Sequence, residues 1–166
     1  MPIPESLGAF WAGATARVPS LRPEDFYEAF HFGDSAALAD ELAALVLQGR
    51  KKATAGLVWA FEAERKPLPR PGSLSIVLSG AGQPLCLIET LCVDVLPFDR
   101  VGADFAFEEG EGDRTLASWR LDHEAYFARE CARLGRQPAA DMPVACERFR
   151  MIYALGAGCT VPPVQQ

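Results

Sequence analysis

The stretch Gly49-Arg50-Lys51-Lys52-Ala53-Thr54 places two adjacent lysines and a hydroxyl within one turn, just where an amphipathic helix stops. Upstream, Ser35 to Gln48 carries Leu38, Leu42, Leu45 and Val46 at helical spacing, with Asp34 as the expected N-cap and Gly49 as the residue after the last turn. Arg50, Lys51 and Lys52 therefore fall in or beside a loop. Adjacent ammonium groups repel each other, and partial burial further favours the neutral amine, so one lysine can serve as a base beside the Thr54 hydroxyl. From the segment alone, the commoner arrangement is two solvated lysines that meet the negative end of the preceding helix dipole.

Around this motif the chain reads as one compact domain. It has 166 residues, 49% of them apolar, which is enough to bury a single core. A net charge of −6 argues against an unaided binder of long nucleic acid, because such proteins displace counterions with a basic surface. The charge is nevertheless uneven. Residues 49 to 70 hold six basic and two acidic side chains, whereas residues 89 to 124 hold ten acidic and three basic ones, so a local basic rim on an acidic protein is expected. The five cysteines are scattered and form no C-x-x-C pair, which predicts neither a disulfide framework nor a zinc knuckle. With no basic leader and no apolar run long enough to cross a bilayer, a cytoplasmic protein without membrane contact is expected.

Periodicity and turn residues outline the elements. Pro4 to Arg17 and Pro23 to Phe30 read as short helices, followed by the helix from Ser35. Pro67 to Gly72 is a turn-rich break. Ser73 to Ser79 and Leu85 to Val95 read as strands joined by the tight loop Gly80-Ala81-Gly82. Asp104 to Glu109 is a short helix and Thr115 to Leu134 a long one, whose Leu116, Trp119, His123, Phe127 and Cys131 share a face; Ala145 to Leu155 is the last strand. The residues alone thus predict an α+β domain.

The motif G-x-K-x-x-T in GRKKAT resembles the signature of the ASCH domain, a small barrel related to PUA RNA-binding domains. The blocks FGDSAALADELAALVLQGRKKATAGLVW, LPRPGSLSIVL, PLCLIETLCVDVLPFDRV, FAFEEGEGDRTLASWRLDHEAYF and PVACERFRMIY follow the order of bacterial stand-alone ASCH proteins, from Phe32 to Tyr153. The resemblance implies a small mixed β-barrel flanked by helices, with residues 1–31 as a helical extension, 32–155 as the ASCH domain and 156–166 as a disordered tail. It also implies a cleft for a nucleobase, nucleoside or short RNA. In ASCH enzymes that remove the acyl group of N4-acetylated cytidine, the catalytic set resembles a lysine, a threonine three residues on and a later glutamate. On this chain these are Lys51, Thr54 and Glu109. A ribonuclease of single-stranded RNA and a non-catalytic PUA-like RNA-binding module are the alternatives. No cofactor and no protein partner are implied.

The segment Glu108-Glu109-Gly110-Glu111-Gly112-Asp113 crowds carboxylates around two glycines. Asp113 reads as the N-cap of the following helix, and Glu109 as either a proton shuttle or a structural partner for Lys51. Substrate contacts are expected from Arg50, Lys52, Trp59, Glu111, Arg114, Trp119, Arg120 and His123, because aromatic rings stack on bases and arginine binds phosphates or base edges. Core roles for Trp59 and Trp119, and a structural role for His123, remain open at this level. Two distant histidines without ligand spacing predict no metal site.

Overall fold

A computed structural model describes residues 2–156 as a five-stranded sheet with helices packed around it. The elements run α1 (Gly8–Arg17), β1 (Phe26–Phe30), α2 (Ala36–Leu47), β2 (Ala53–Leu57), α3 (Val58–Ala63), β3 (Leu74–Leu78), β4 (Pro84–Pro97), α4 (Ala103–Glu109), α5 (Leu116–Leu134) and β5 (Pro143–Ala154). The strand order is β1-β3-β4-β5-β2; β1 runs parallel to β3 and every other pairing is antiparallel. The domain is α+β, as the residues predict. Its sheet is open, however, and the closed barrel implied by the resemblance is not formed. The edge strands β1 and β2 do not pair with each other, and residues of both line one cavity.

Local signals explain most elements. Ser35, and not Asp34, caps α2 by accepting a hydrogen bond from the Leu38 amide at 3.2 Å, while Asp34 turns to Arg129 at 2.8 Å. Gly49 ends this helix at φ +72°, as its position predicts. Thr115, and not Asp113, caps α5; Asp113 instead accepts from the Thr115 amide at 2.9 Å, fixing the turn before the helix. The helix expected from Pro23 to Phe30 is one 3-10 turn, Pro23–Asp25, followed by β1. Phe26, Tyr27 and Phe30 suit a pleated surface, and β3, distant in sequence, supplies the partner. The strand β2 and helix α3 also arise where periodicity gave no signal.

Three apolar clusters hold the sheet. Phe10, Trp11 and Ala14 of α1 pack with Phe26, Leu74, Ile76 and Leu87, so the N-terminal helix is part of the core. Phe32, Leu42 and Val46 pack with Val77, Ile88 and Phe149. Leu57, Phe105, Trp119, Phe127 and Val144 form a third cluster with residues of α4 and α5. Each fully buried Leu, Val or Phe stabilises the fold by about 1.5 to 3 kcal/mol relative to exposure. Cys86, Cys92, Cys131 and Cys146 are free thiols. Among the described residues no helix is long and apolar enough to cross a membrane. Beyond Gly156, the tail assigned to 156–166 lies outside the described residues.

Strand alternation positions the site. Ala55 and Leu57 face the α5 cluster with their partners Cys146 and Val144, whereas Thr54 and Gly56, with Glu147 and Ala145 opposite, face the cavity.

Candidate functional site

The cavity has a volume of about 570 Å³ and lies between the two sheet edges, with Glu28 from β1, Thr54 from β2, Glu147 from β5 and His123 from α5 in its lining. Its charged end is built by two loops that zip together. The Lys52 amide donates to the Glu108 carbonyl at 2.8 Å, and the Arg50 guanidinium donates to the carbonyls of Gly110 at 2.7 Å and Gly112 at 2.6 Å. Gly110 has φ +73°, and a Cβ there would collide with the Arg50 carbonyl, so only glycine allows this approach.

The zipper brings Lys51 and Glu109 together although they are 58 positions apart. The Lys51 Nζ lies 3.1 Å from Glu109 Oε2 and 3.5 Å from Glu111 Oε1, and 5.2 Å from the centre of the Phe32 ring. Lys51 and Glu109 are only 2% and 1% exposed, so each needs the other in place of water. Clamped in this way, Lys51 Nζ donates hydrogen bonds to the Glu109 and Glu111 carboxylates. Burial works against the Glu109 carboxylate, but Lys51 and His123 outweigh it and hold its pKa well below the usual carboxylate range.

His123 completes the network from α5. Its Nδ1–H donates to the Trp119 carbonyl at 2.9 Å, an assignment that follows because a carbonyl can only accept. Nε2 is then left 3.2 Å from Glu109 Oε1 and 3.9 Å from Glu111 Oε2. The contact with Oε1 is an ion pair with poor hydrogen-bond angles. Burial disfavours the imidazolium, but the Glu109 charge prevails and raises the His123 pKa above its ordinary value. Glu111 moves the other way from Glu109: burial pushes its carboxyl up to about 7, with Lys51 opposing and Glu109 adding to the rise.

Glu109, Glu111 and His123 bring ligand-type atoms within 4.8 Å of one another, the geometry of a cation site. The Lys51 ammonium already stands against both carboxylates, and a metal ion would have to displace it.

Of the sequence-predicted residues, Lys51, Thr54, Glu109, Glu111 and His123 meet at the cavity. The others do not line it. Arg50 ties the loops together, and Lys52 points to solvent from the neighbouring position. Trp119 is buried between Phe98 and His123, stacked on the imidazole at 4.1 Å. Trp59 packs against the α5 cluster under Arg136, Arg114 lies over Phe107, and Arg120 reaches the Asp99 carbonyl at 3.2 Å. Of the basic residues in 49 to 70, Lys51 lines the cavity and Lys66 pairs with its Glu28, whereas Arg50 and Lys52 do not line it. Four lining carboxylates escaped the sequence reading, Glu28, Glu41, Asp122 and Glu147. Glu28 lines the cavity paired with Lys66, and Glu147 lines it while accepting from the Thr90 hydroxyl at 2.6 Å. The signal for Glu147 was a charge inside the strand-like run PVACERF.

Fold and site together define an α+β domain with an open sheet and an ion-paired cleft between its edges. The family model of the ASCH domain matches residues 28–153, and the chain belongs to that family. It is similar to the crystallised ASCH domain from Lactobacillus crispatus JV V101, with 31% identity, 91% of this chain and 96% of that chain covered, and a TM-score of 0.80. It is also similar to protein EF3133 from Enterococcus faecalis V583, with 30% identity, coverage of 89% and 88%, and a TM-score of 0.79. No functionally curated protein matches the chain. The ASCH domain is a PUA-like fold often linked to RNA binding.

Proposed function

We propose that the cleft binds a nucleobase or nucleoside and hydrolyses an acyl amide on it. The observation that carries this reading is the convergence of Lys51, Thr54 and Glu109, from a loop, a strand and a helix end, on one cavity. In this scheme the Thr54 hydroxyl attacks the acyl carbon. The Lys51 ammonium donates to the oxygen on which charge develops, and Glu109 holds that ammonium in place. A cavity of about 570 Å³ suits a ligand of nucleoside size.

Charge favours a nucleoside over a polynucleotide. Glu28, Glu41, Glu109, Glu111, Asp122 and Glu147 line the cavity against the cations Lys51, Arg129 and His123. Phosphate groups are repelled by such an excess of carboxylates.

N4-acetylcytidine incubated with the protein is expected to release acetate, and Thr54→Ala is expected to abolish the release with the fold intact, because a half-buried hydroxyl contributes little to stability. Full activity in that variant would overturn the nucleophile assignment. Single-stranded RNA is expected to bind weakly and with shallow salt dependence. Tight binding in fluorescence anisotropy, with a slope of about five or more phosphates, would favour a ribonuclease or an RNA-binding module instead.

A further inference from the structure

We propose that Glu147 is a catalytic residue of this cleft, the carboxylate that takes the Thr54 hydroxyl proton and passes it to the departing amine. The inference rests on the hydrolase reading above and supplies the base that reading lacks. Lys51 has another task in that reading, donating to the developing oxyanion, and its Nζ lies against the Glu109 and Glu111 carboxylates. Glu109 cannot fill the role, because Lys51 takes one of its carboxylate oxygens and His123 stands against the other.

Glu147 is placed by the strand ladder. It is the directly opposed partner of Thr54 in the antiparallel β2–β5 pairing, and both residues line the cavity. Directly opposed side chains share a face of the sheet with Cβ atoms about 4.5 to 5.5 Å apart, within reach of a hydroxyl and a carboxylate or of one bridging water. Thr90 on β4 donates its hydroxyl to Glu147 Oε1 at 2.6 Å and fixes the carboxyl group. Among the described residues nothing donates a hydrogen bond to the second oxygen. Glu28 from β1, Lys66 paired with Glu28, and Lys51 ahead of β2 supply the other charges that face it. Burial raises the Glu147 pKa, the Thr90 hydrogen bond opposes the rise, the Glu28 charge adds to it, and Lys66 and Lys51 oppose it; the net displacement is upward. A carboxylate displaced in this direction is a stronger base at neutral pH than an ordinary one.

The step balances without a further reactant. The Thr54 Oγ–C bond forms as the amide C–N bond breaks; the hydroxyl proton passes to Glu147 and then to the leaving nitrogen. Water next adds to the acyl ester and gives a proton to Glu147, which returns it to Thr54 Oγ as the carboxylic acid leaves.

The test measures kcat and KM for N4-acetylcytidine across pH in the full chain, in Glu147→Gln, in Thr90→Val and in Thr54→Ala. Glu147→Gln preserves the Thr90 hydrogen bond and is expected to lose about 100-fold or more in kcat, with KM changed by less than about threefold and the acidic limb of the profile gone. Thr90→Val is expected to stay active with that limb displaced to higher pH, because it loses a hydrogen bond that favours the charged carboxylate. Parental kcat and an unchanged acidic limb in Glu147→Gln, with Thr54→Ala inactive, would overturn the role of Glu147 and leave the hydrolase reading standing. An inactive parent would overturn both. Should circular dichroism show Glu147→Gln unfolded, Thr90→Val decides, and an undisplaced limb there rejects the proposal.

Discussion

Glu109 turns inward to Lys51, where both side chains are 1% exposed, whereas its neighbour Glu108 turns outward to Arg148 at 2.8 Å, in a cluster with Asp94 and Asp104 whose members are 24% to 75% exposed. Both networks tie α4 to the sheet region, and the outer one has three carboxylates around a single guanidinium. Distances alone would rank the outer network as the stronger. Solvent reverses that ranking: exposed pairs are screened and contribute about 0 to 1 kcal/mol, while breaking a buried pair strands an uncompensated charge at a cost of about 3 to 5 kcal/mol. The number of ion pairs therefore says little about stability, and burial says most of it.

Removing the inner cation makes the sharpest test of this contrast. Lys51→Ala is expected to destabilise the fold by about 3 to 5 kcal/mol at neutral pH, read as a lower urea midpoint. Lys51→Ala combined with Glu109→Ala should recover part of that loss, since the second change removes the stranded charge. A loss below about 1 kcal/mol in the single variant would place Lys51 with the exposed pairs.

Next in size is the backbone that brings the two loops together. Gly110→Ala puts a Cβ against the Arg50 carbonyl at positive φ, and is expected to cost more than about 1 kcal/mol by the same measurement. Gly49, also at positive φ but with open space around it, should lose less on the same substitution.

The pH dependence separates the two inner glutamates. The Glu111 carboxyl has a folded pKa of about 7, above its unfolded value, so the fold keeps a proton that the unfolded chain releases, and stability falls as pH rises from about 4.3 toward 7. Glu111→Gln is expected to flatten that fall and to be more stable than the parent above pH 7, with the difference closing in acid. Glu109 is held below the ordinary range, so its contribution is present above about pH 4.3 and is lost as the pH drops further. Thermal melts across pH check both signs.

The smallest effect belongs to the outer network. Glu108→Gln is expected to change stability by less than about 1 kcal/mol, and by less still at high salt. A larger loss would show that Arg148, which also lies over the Phe105 ring at 5.3 Å, is held more tightly than its exposure implies.

Short-range physics made much of this molecule legible from residues alone. The 3.6-residue spacing marked α2 and α5, glycines marked the turns, and the alternation in Ser73 to Ser79 marked β3, because these signals concern neighbours in the chain. Lys51, Thr54 and Glu109 were singled out by the motif and the family resemblance. Tertiary structure decided the rest. The aromatic run Phe26 to Phe30 became a strand because β3, more than 40 positions away, offered an edge, and no local pattern records that offer. Arg50, Trp59, Trp119 and Arg120 have the right chemistry for a base or phosphate, yet packing and carbonyl contacts direct them elsewhere. Glu147 came to the cavity only through the register that sets it opposite Thr54, and Lys51 gained its carboxylate partners only when two loops delivered them. Residue type and local spacing determine what a side chain is able to do; which partners surround it, and how much water they exclude, depends on contacts that only the folded chain makes.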